Sequence, residues 1–394
     1  MCGIAGIIST QNNYVQFNHL KKMTDSLVHR GPDADGFWIN ENKNIGFGHR
    51  RLSIIDLSEQ ANQPFQYQHC TIIYNGEIYN YVELKDFLSK KGFNFSTQSD
   101  TEVILAAYIF WGKECLNEFD GMFAFSIYDS QLNEVFLARD RFGEKPLYYS
   151  TITDKGNTHF HFASEIKALF SIGINKEIQN QQLLNYLTLG FTSNPIDKSQ
   201  TFFKNISSLP PAHYISLNIS SNTMHQKRWY ILEKKEVLKK NDGVLIEQFS
   251  SLFQSSIKNR LRSDVSIGTS LSGGLDSSSI VAKIHQVQNK TQYQSTTFTA
   301  SFPGFEKDET QYSKQVSQQF NLTQNFITPT ASDFINEFEK LMYHQEQPIQ
   351  SSSVFTQFMV YQKAKEKNVS VLIDGQGADE ILGGYTKYSH WFLQ

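Results

Sequence analysis

A cysteine at position 2 becomes the amino-terminal residue once the initiator methionine is removed, which a small second residue permits. Thiol and α-amine then belong to one residue. An α-amine titrates near ~8, so it accepts a proton near neutrality, directly or through one water, and serves as base for its own thiol. No catalytic histidine is needed. The plain alternative is a buried, inert thiol. A second group with chemistry is Leu271-Ser272-Gly273-Gly274-Leu275-Asp276-Ser277-Ser278. Its two glycines let the backbone approach an anion closely, and serine hydroxyls with helix N-terminal N–H groups offer donors to phosphate. The Gly-Lys-Ser/Thr ending of a Walker A loop is absent. A bare Ser-Gly-Gly would also serve as an ordinary strand-to-helix turn.

These groups need elements to hold them. Short β-like runs fill the first part: CGIAGII, IGFGHRRLSII, TIIYNGEIY, MFAFSIYDS, EVFLARD, PLYYS and HFHFASE. Helical spacing marks YVELKDFLSKK and TEVILAAYIFWG, with further helical segments at SEIKALF and QQLLNYLTLG. The pattern predicts an α+β sandwich of stacked sheets over residues 1–190. Polar, proline-containing sequence over 191–241 reads as a linker with small β elements. From 242 to 394 the rhythm changes to strands alternating with helices: the helix LIEQFSSLFQSSIKNRL, the strand SIGTSL, the Gly/Ser loop, the helix SSSIVAKIH, then STTFTAS and SVLIDG. That alternation predicts an α/β domain with a parallel sheet covered on both faces, whose ligands sit at the carboxyl ends of the strands.

The 394 residues leave room for two domains, each with its own core. A net charge of −3 and the lack of a long Lys/Arg tract argue against a nucleic-acid partner. No run approaches the ~20 apolar residues of a membrane helix, and MCGIAGIIST lacks the basic n-region and long h-region of a signal peptide. Three cysteines, Cys2, Cys70 and Cys115, form neither an even disulfide framework nor a metal spacing. A cytoplasmic, reducing compartment is the expectation.

The motifs MCGIAGI, HRGPD (from His29), RLSIID (from Arg51), NGEIYN (from Asn75), SDTEV (from Ser99), GMFAF (from Gly121), RDRFGEKPLYY (from Arg139) and SEIKAL appear in one order. Together they resemble the N-terminal-nucleophile glutaminase domain of asparagine synthetase B-type enzymes across about the first 190 residues. SGGLDSS resembles the loop of ATP pyrophosphatases. The resemblance implies a four-layer sandwich followed by an ATP-pyrophosphatase domain, and glutamine-dependent asparagine synthesis as the activity. Cys2 would attack the glutamine side-chain amide, with Asn75 and the Gly76 N–H as oxyanion hole. Arg51 would clamp the α-carboxylate, while Asp100 and Glu77 would bind the α-ammonium. Leu271, Ser272, Gly273, Gly274, Asp276, Ser277, Ser278, Ala300, Asp374 and Gly375 would line ATP, the co-substrate. Asp276 and Asp379 would hold Mg²⁺ on the pyrophosphate. The acceptor carboxylate, expected to be aspartate, would become an acyl-AMP and receive ammonia through a dry interior path. A homodimer is an expectation by analogy alone.

Each residue also has a plainer reading. Arg51 alone is a surface ion pair, Asn75-Gly76 a hairpin turn, Asp100 a helix N-cap, and Asp308-Glu309 a cap of the following helix. The family pattern S-G-E-G-x-D-E reads D-G-Q-G-A-D-E here, so the neutral Gln376 replaces a carboxylate. The chain stops at the end of GGYTKYSHWFLQ, where family members continue into a helical region. Two alternatives follow: amidation of another carboxylate, or a glutaminase with a vestigial nucleotide domain.

Overall fold

The computed structural model describes residues 1–234, 241–287 and 293–393; residues 235–240 of the expected linker lie outside that set. The chain forms two compact units, Met1–Glu236 with Gln345–Gln350, and Val237–His344 with Ser351–Gln394.

The first unit starts with β1 (Gly3–Ser9), α1 (Phe17–Asp25), β2 (Ala34–Ile39), β3 (Ile45–Arg51), β4 (Phe65–Tyr67) and β5 (Cys70–Ile78). The helices α2 (Tyr81–Lys90), α3 (Asp100–Trp111) and α4 (Cys115–Glu118) follow, then β6 (Gly121–Asp129), β7 (Glu134–Arg139), β8 (Tyr148–Asp154) and β9 (Asn157–Ala163). The helices α5 (Ile166–Phe170) and α6 (Asn180–Leu189) precede β10 (Ser207–Ser208), β11 (His213–Asn218) and β12 (Thr223–Arg228). Two antiparallel sheets result, ordered β10-β8-β9-β1-β3-β2 and β12-β11-β7-β6-β5-β4.

The period-two alternation of side chains decides how these sheets stack. In β1, Ile4 and Ile8 meet Ile73, Ala124, Val135 and Leu137 of the other sheet. Ala5 and Ile7 point the opposite way, onto Leu20 and Met23 of α1 and Ile166 and Leu169 of α5. In the second sheet Ile72, Tyr74, Phe123, Phe125 and Phe136 turn outward to Leu84 and Leu88 of α2 and Val103–Ala107 of α3. Helices, sheet, sheet and helices therefore form four layers, and the central strands of both sheets are buried on two faces. The stretch after residue 190 belongs to the first unit: β11 pairs with β7, and β12 pairs with β11.

The second unit comprises α7 (Asp242–Arg260), β13 (Ile267–Ser270), α8 (Leu275–Val287), β14 (Tyr293–Ala300), α9 (Thr310–Gln319) and β15 (Thr323–Ile327). It continues with α10 (Ala331–Gln345), α11 (Ser353–Glu366), β16 (Val371–Ile373), α12 (Ala378–Leu382) and α13 (Lys387–Leu393). Its four strands are parallel and ordered β15-β14-β13-β16. Ile257 and Leu261 of α7 and Ile280 and Ile284 of α8 pack on Ile267 and Ile373, while Val360 and Ala364 of α11 pack with Phe298 and Ile327. The strand order reverses direction between β13 and β16, which is where an open α/β sheet leaves a crevice for ligands.

Phe162 is fully buried in the central layer, 6.2 Å from the Phe47 ring at an interplanar angle of 74°. Phe162→Ala is expected to lower the stability of the first unit by about 3–5 kcal/mol, read as a shift of its urea midpoint.

Candidate active site

Cys2 stands one residue before β1, and the pairing of Gly3 with Arg50 sets it against the end of β3. The Leu52 N–H points at Cys2 Sγ at 3.4 Å, and the Cys2 carbonyl accepts from Arg30 Nε at 2.8 Å. Desolvation pushes the thiol up, opposed by the neighbouring terminal ammonium, the Leu52 N–H and the Arg30 charge. The terminal amine, here that of Met1, is pushed down to about 5, chiefly by burial, with Arg30 and Lys145 acting in the same direction. Amine and thiol thus both favour their neutral forms.

Arg51 closes β3, and the chain beyond it wraps round its guanidinium. Nη1 donates to Ser58 O at 2.7 Å and Asn62 Oδ1 at 2.8 Å, and Nη2 donates to Asp56 O. Asp56 adopts a left-handed φ of 54° to make this turn. Three of five N–H groups are thereby taken, which leaves Nε and one Nη2 hydrogen, the edge that meets a carboxylate in bidentate fashion. Arg51 is buried, so the surface ion-pair reading does not hold.

Asn75 and Gly76 lie inside β5, opposite Ala124 and Phe123 of β6, and form no hairpin turn. A Cβ on Gly76 would come 2.2 Å from Met122 O, so the close strand approach requires glycine. Asn75 is 1% exposed, yet neither its Oδ1 nor its Nδ2 has a hydrogen-bond partner among the described residues. Buried amides without partners are rare. Asp100 is not the cap of α3. Ser99 takes that place, accepting from Thr101 N, and the buried Asp100 carboxylate turns inward to Tyr74 Oη at 2.9 Å and Ile78 N at 3.0 Å. Burial pushes Asp100 up against those two hydrogen bonds. Glu77, half-buried, acts electrostatically on the terminal amine and on Lys145. The first unit therefore gathers a thiol, an unsatisfied amide, an oriented guanidinium and two carboxylates.

Sequence reasoning assigned no role to Arg30 or Lys145, although both lie in motifs it singled out. Lys145 is buried, and its ammonium lies 3.2 Å from Met1 Sδ; burial pushes it down.

In the second unit the Ser272–Gly274 turn joins β13 to α8. Gly273 has φ 101°, and a Cβ there would meet Ser313 N at 2.7 Å and Glu309 O at 2.8 Å. Ser272 Oγ accepts from Gly274 N and lies 3.1 Å from Ser277 Oγ, while Ser278 Oγ is buried without a partner among the described residues. Leu271 N bonds Phe298 O of β14, and Ala300 ends that strand. Asp374 follows β16 and accepts from Tyr361 Oη at 3.2 Å. A Cβ on Gly375 would lie 3.3 Å from Asp276 Cβ, so the loop after β16 meets the first turn of α8 at the strand-order reversal. Asp308 caps α9 through Thr310, the plainer of its two readings, whereas Glu309 lies over the glycine turn, its Oε2 3.6 Å from a Cβ on Gly274.

Asp276 is half-buried in the first turn of α8, and Asp379 opens α12 with its carboxylate against Gly384. Neither joins a trio of His, Cys, Asp or Glu within reach of one ion among the described residues. His69, Cys70 and Asp129 do approach one another in the first unit, a proximity that cysteine spacing did not foretell. There Asp129 Oδ1 already accepts from Gln131 N and Leu132 N. Each carboxylate could offer one hard oxygen, which would suit a cation that keeps water and phosphate as its other ligands.

Because the Asn75 amide is unsatisfied, Asn75→Ala is expected to cost less than about 1 kcal/mol of stability, against the 1–3 kcal/mol usual for stranding a buried polar partner. Thermal unfolding of both proteins checks this.

A family model described as "Glutamine amidotransferase domain" matches residues 1–230, and one described as "Asparagine synthase" matches residues 248–394. Asparagine synthetase (glutamine-hydrolyzing) 1 of Bacillus subtilis is 34% identical over 393 residues, which span 98% of this chain and 59% of that protein. A Methanocaldococcus jannaschii protein, provisionally described as asparagine synthetase (glutamine-hydrolyzing) 2, is 35% identical, with 98% of this chain and 76% of that protein covered. The solved structure of a B. subtilis glutamine phosphoribosylpyrophosphate amidotransferase superposes with a TM-score of 0.44 at 16% identity, covering 86% of this chain and 70% of that one. On the family models and the sequence relatives, the chain belongs to the glutamine-hydrolysing asparagine synthetase family.

Proposed function

We propose that this chain makes an amide from glutamine, ATP and a carboxylate, with aspartate as acceptor and asparagine as product. The observation that carries the first half is the Asn75 amide, buried and unpartnered in the unit that also holds Cys2.

In this reading Met1 is removed and the α-amine passes to Cys2. Held in its free-base form by the same burial, it takes the thiol proton, directly or through water. The thiolate attacks the amide carbon of glutamine, and the oxygen's developing charge is met by Asn75 Nδ2 and the Gly76 N–H. Arg51 holds the α-carboxylate through its free edge, and Asp100 with Glu77 faces the α-ammonium. The C–N bond breaks, ammonia leaves with the amine's proton, and water hydrolyses the thioester to glutamate.

The turn over Ser272–Ser278 cradles the β,γ-pyrophosphate, with Leu271, Ala300, Asp374 and Gly375 around the nucleotide. The acceptor's carboxylate attacks the α-phosphorus, pyrophosphate leaves, and ammonia displaces AMP from the acyl-adenylate. Asp276 and Asp379 would hold Mg²⁺, which when bound would supply positive charge beside the pyrophosphate. A cytoplasmic setting fits the three free cysteines, and no helix among the described residues is long and apolar enough to cross a membrane. A homodimer remains part of the proposal by analogy.

One observation favours a second reading of the acceptor: position 376 is an exposed glutamine that brings no negative charge to the loop after β16. Another carboxylate would then take aspartate's place.

A coupled assay with glutamine, aspartate, ATP and Mg²⁺ tests the proposal. Glutamate, pyrophosphate and asparagine are expected in step, and Cys2→Ala is expected to abolish glutamate release. Glutamate with neither pyrophosphate nor asparagine would transfer the reading to the second acceptor, which this mixture lacks; no glutamate at all would overturn it. Asn75→Ala should lower glutaminase kcat by roughly 10²–10³-fold. Since burial depresses the amine, the acid limb of the glutaminase profile should fall below the ordinary α-amine value of about 8, with activity lost as pH drops through that limb.

A further inference from the structure

The short helix α5 starts at Ile166, and Glu165 occupies its N-cap position without capping it. The Glu165 carboxylate is turned away, to Arg30 Nη1 at 2.8 Å, His29 Nε2 at 2.9 Å and Lys167 Nζ at 2.5 Å. The free N–H groups of α5 are met from a distance of about 180 residues in sequence. Glu346 Oε2 accepts from Ile166 N at 2.8 Å, and Oε1 accepts from Lys167 N at 2.6 Å, with Lys167 Nζ 3.2 Å away. Glu346 belongs to the six residues, Gln345–Gln350, that the chain between α10 and α11 contributes to the first unit. The same segment is fastened by Tyr186 Oη on Ile349 O at 2.9 Å.

Glu346 adopts a φ of 60°. A non-glycine residue persists there only where its surroundings over-determine the conformation. Here the carboxylate contacts do so. Side chains of Arg30, Glu165, Lys167 and Glu346 are all 13% exposed or less, so two cations face two anions out of water. Remove Glu346, and the Ile166 and Lys167 N–H groups lose their acceptor, while Glu165, the N-cap residue of that helix, carries a carboxylate that can turn to them. Turning to cap α5 would release Arg30, whose Nε holds the Cys2 carbonyl.

We infer that Glu346 is a positioning residue for the Cys2 nucleophile: by capping α5 and holding Lys167 it keeps Glu165 on Arg30, and Arg30 on the backbone of Cys2. The inference rests on the glutaminase reading given above. Nothing in it requires Glu346 to touch glutamine.

The test uses the full chain with Glu346→Gly and Glu346→Gln. Glycine relieves the left-handed backbone, so its melting temperature is expected to hold while the carboxylate is lost; glutamine keeps the size and loses the charge. Both variants are expected to lose glutaminase kcat by roughly tenfold or more, as a displaced reacting group would, with KM for glutamine within about twofold because Arg51 and Asp100 are untouched. The rate at which iodoacetamide alkylates Cys2, read by peptide mass spectrometry, should fall in both variants. Unchanged kcat and alkylation rate in either folded variant would overturn the inference, as would a rise in KM with kcat intact. If the unmodified chain releases no glutamate, the glutaminase reading fails, while the alkylation rates still decide whether Glu346 governs the thiol.

Discussion

The position of β1 is the constraint on which the first unit depends. It lies between β3 and β9, paired to both, and every residue from Gly3 to Ser9 is buried. A slip of one residue would exchange Ile4 and Ile8 with Ala5 and Ile7, leaving a void at Ala5 between the sheets and crowding the helices with an isoleucine where alanine fits. Register is therefore fixed on both faces. Cys2, one step outside that register, inherits its precision without any contact of its own having to supply it. The wrapped guanidinium of Arg51 ends the neighbouring strand, so two site residues are placed by one ladder of hydrogen bonds.

The candidate site is assembled from groups that a stable core would avoid. An amide without partners, a carboxylate raised by burial, a lysine lowered by burial and a desolvated amine all lie in one unit. Such groups are tolerated because three apolar layers surround them, and local instability of this kind concentrates where chemistry is done. The second unit works by a different principle. Its loop is built from backbone, with Gly273 in a left-handed conformation under the first turn of α9, and its place follows from strand order.

How much of this was legible in sequence depends on how local the cause is. Strands such as MFAFSIYDS carry a period-two alternation that reports two apolar faces, and SGGLDSS carries its turn in its glycines. Residues 191–234 were harder. Every residue of β12 is exposed, so this edge strand shows no apolar period, and its Lys227 and Arg228 suit an edge that must not pair further. The plainer capping reading of Asp100 does not hold because Ser99, one residue earlier, takes the cap, and only the fold could reveal Tyr74 and Ile78 as the carboxylate's partners. The Arg30–Glu165–Lys167–Glu346 contacts join positions with no local pattern between them, and no periodicity announces such a link.

The contribution of Gln345–Gln350 makes the first unit discontinuous in sequence. On the ribosome, everything up to residue 236 emerges first, and the segment carrying Glu346 follows more than a hundred residues later, roughly 5–20 s at ordinary elongation rates. During that interval the sheets can close while α5 lacks its acceptor. A gene fragment cut at the apparent boundary would remain in that state permanently: a sandwich with its strands in place and one of its charges missing.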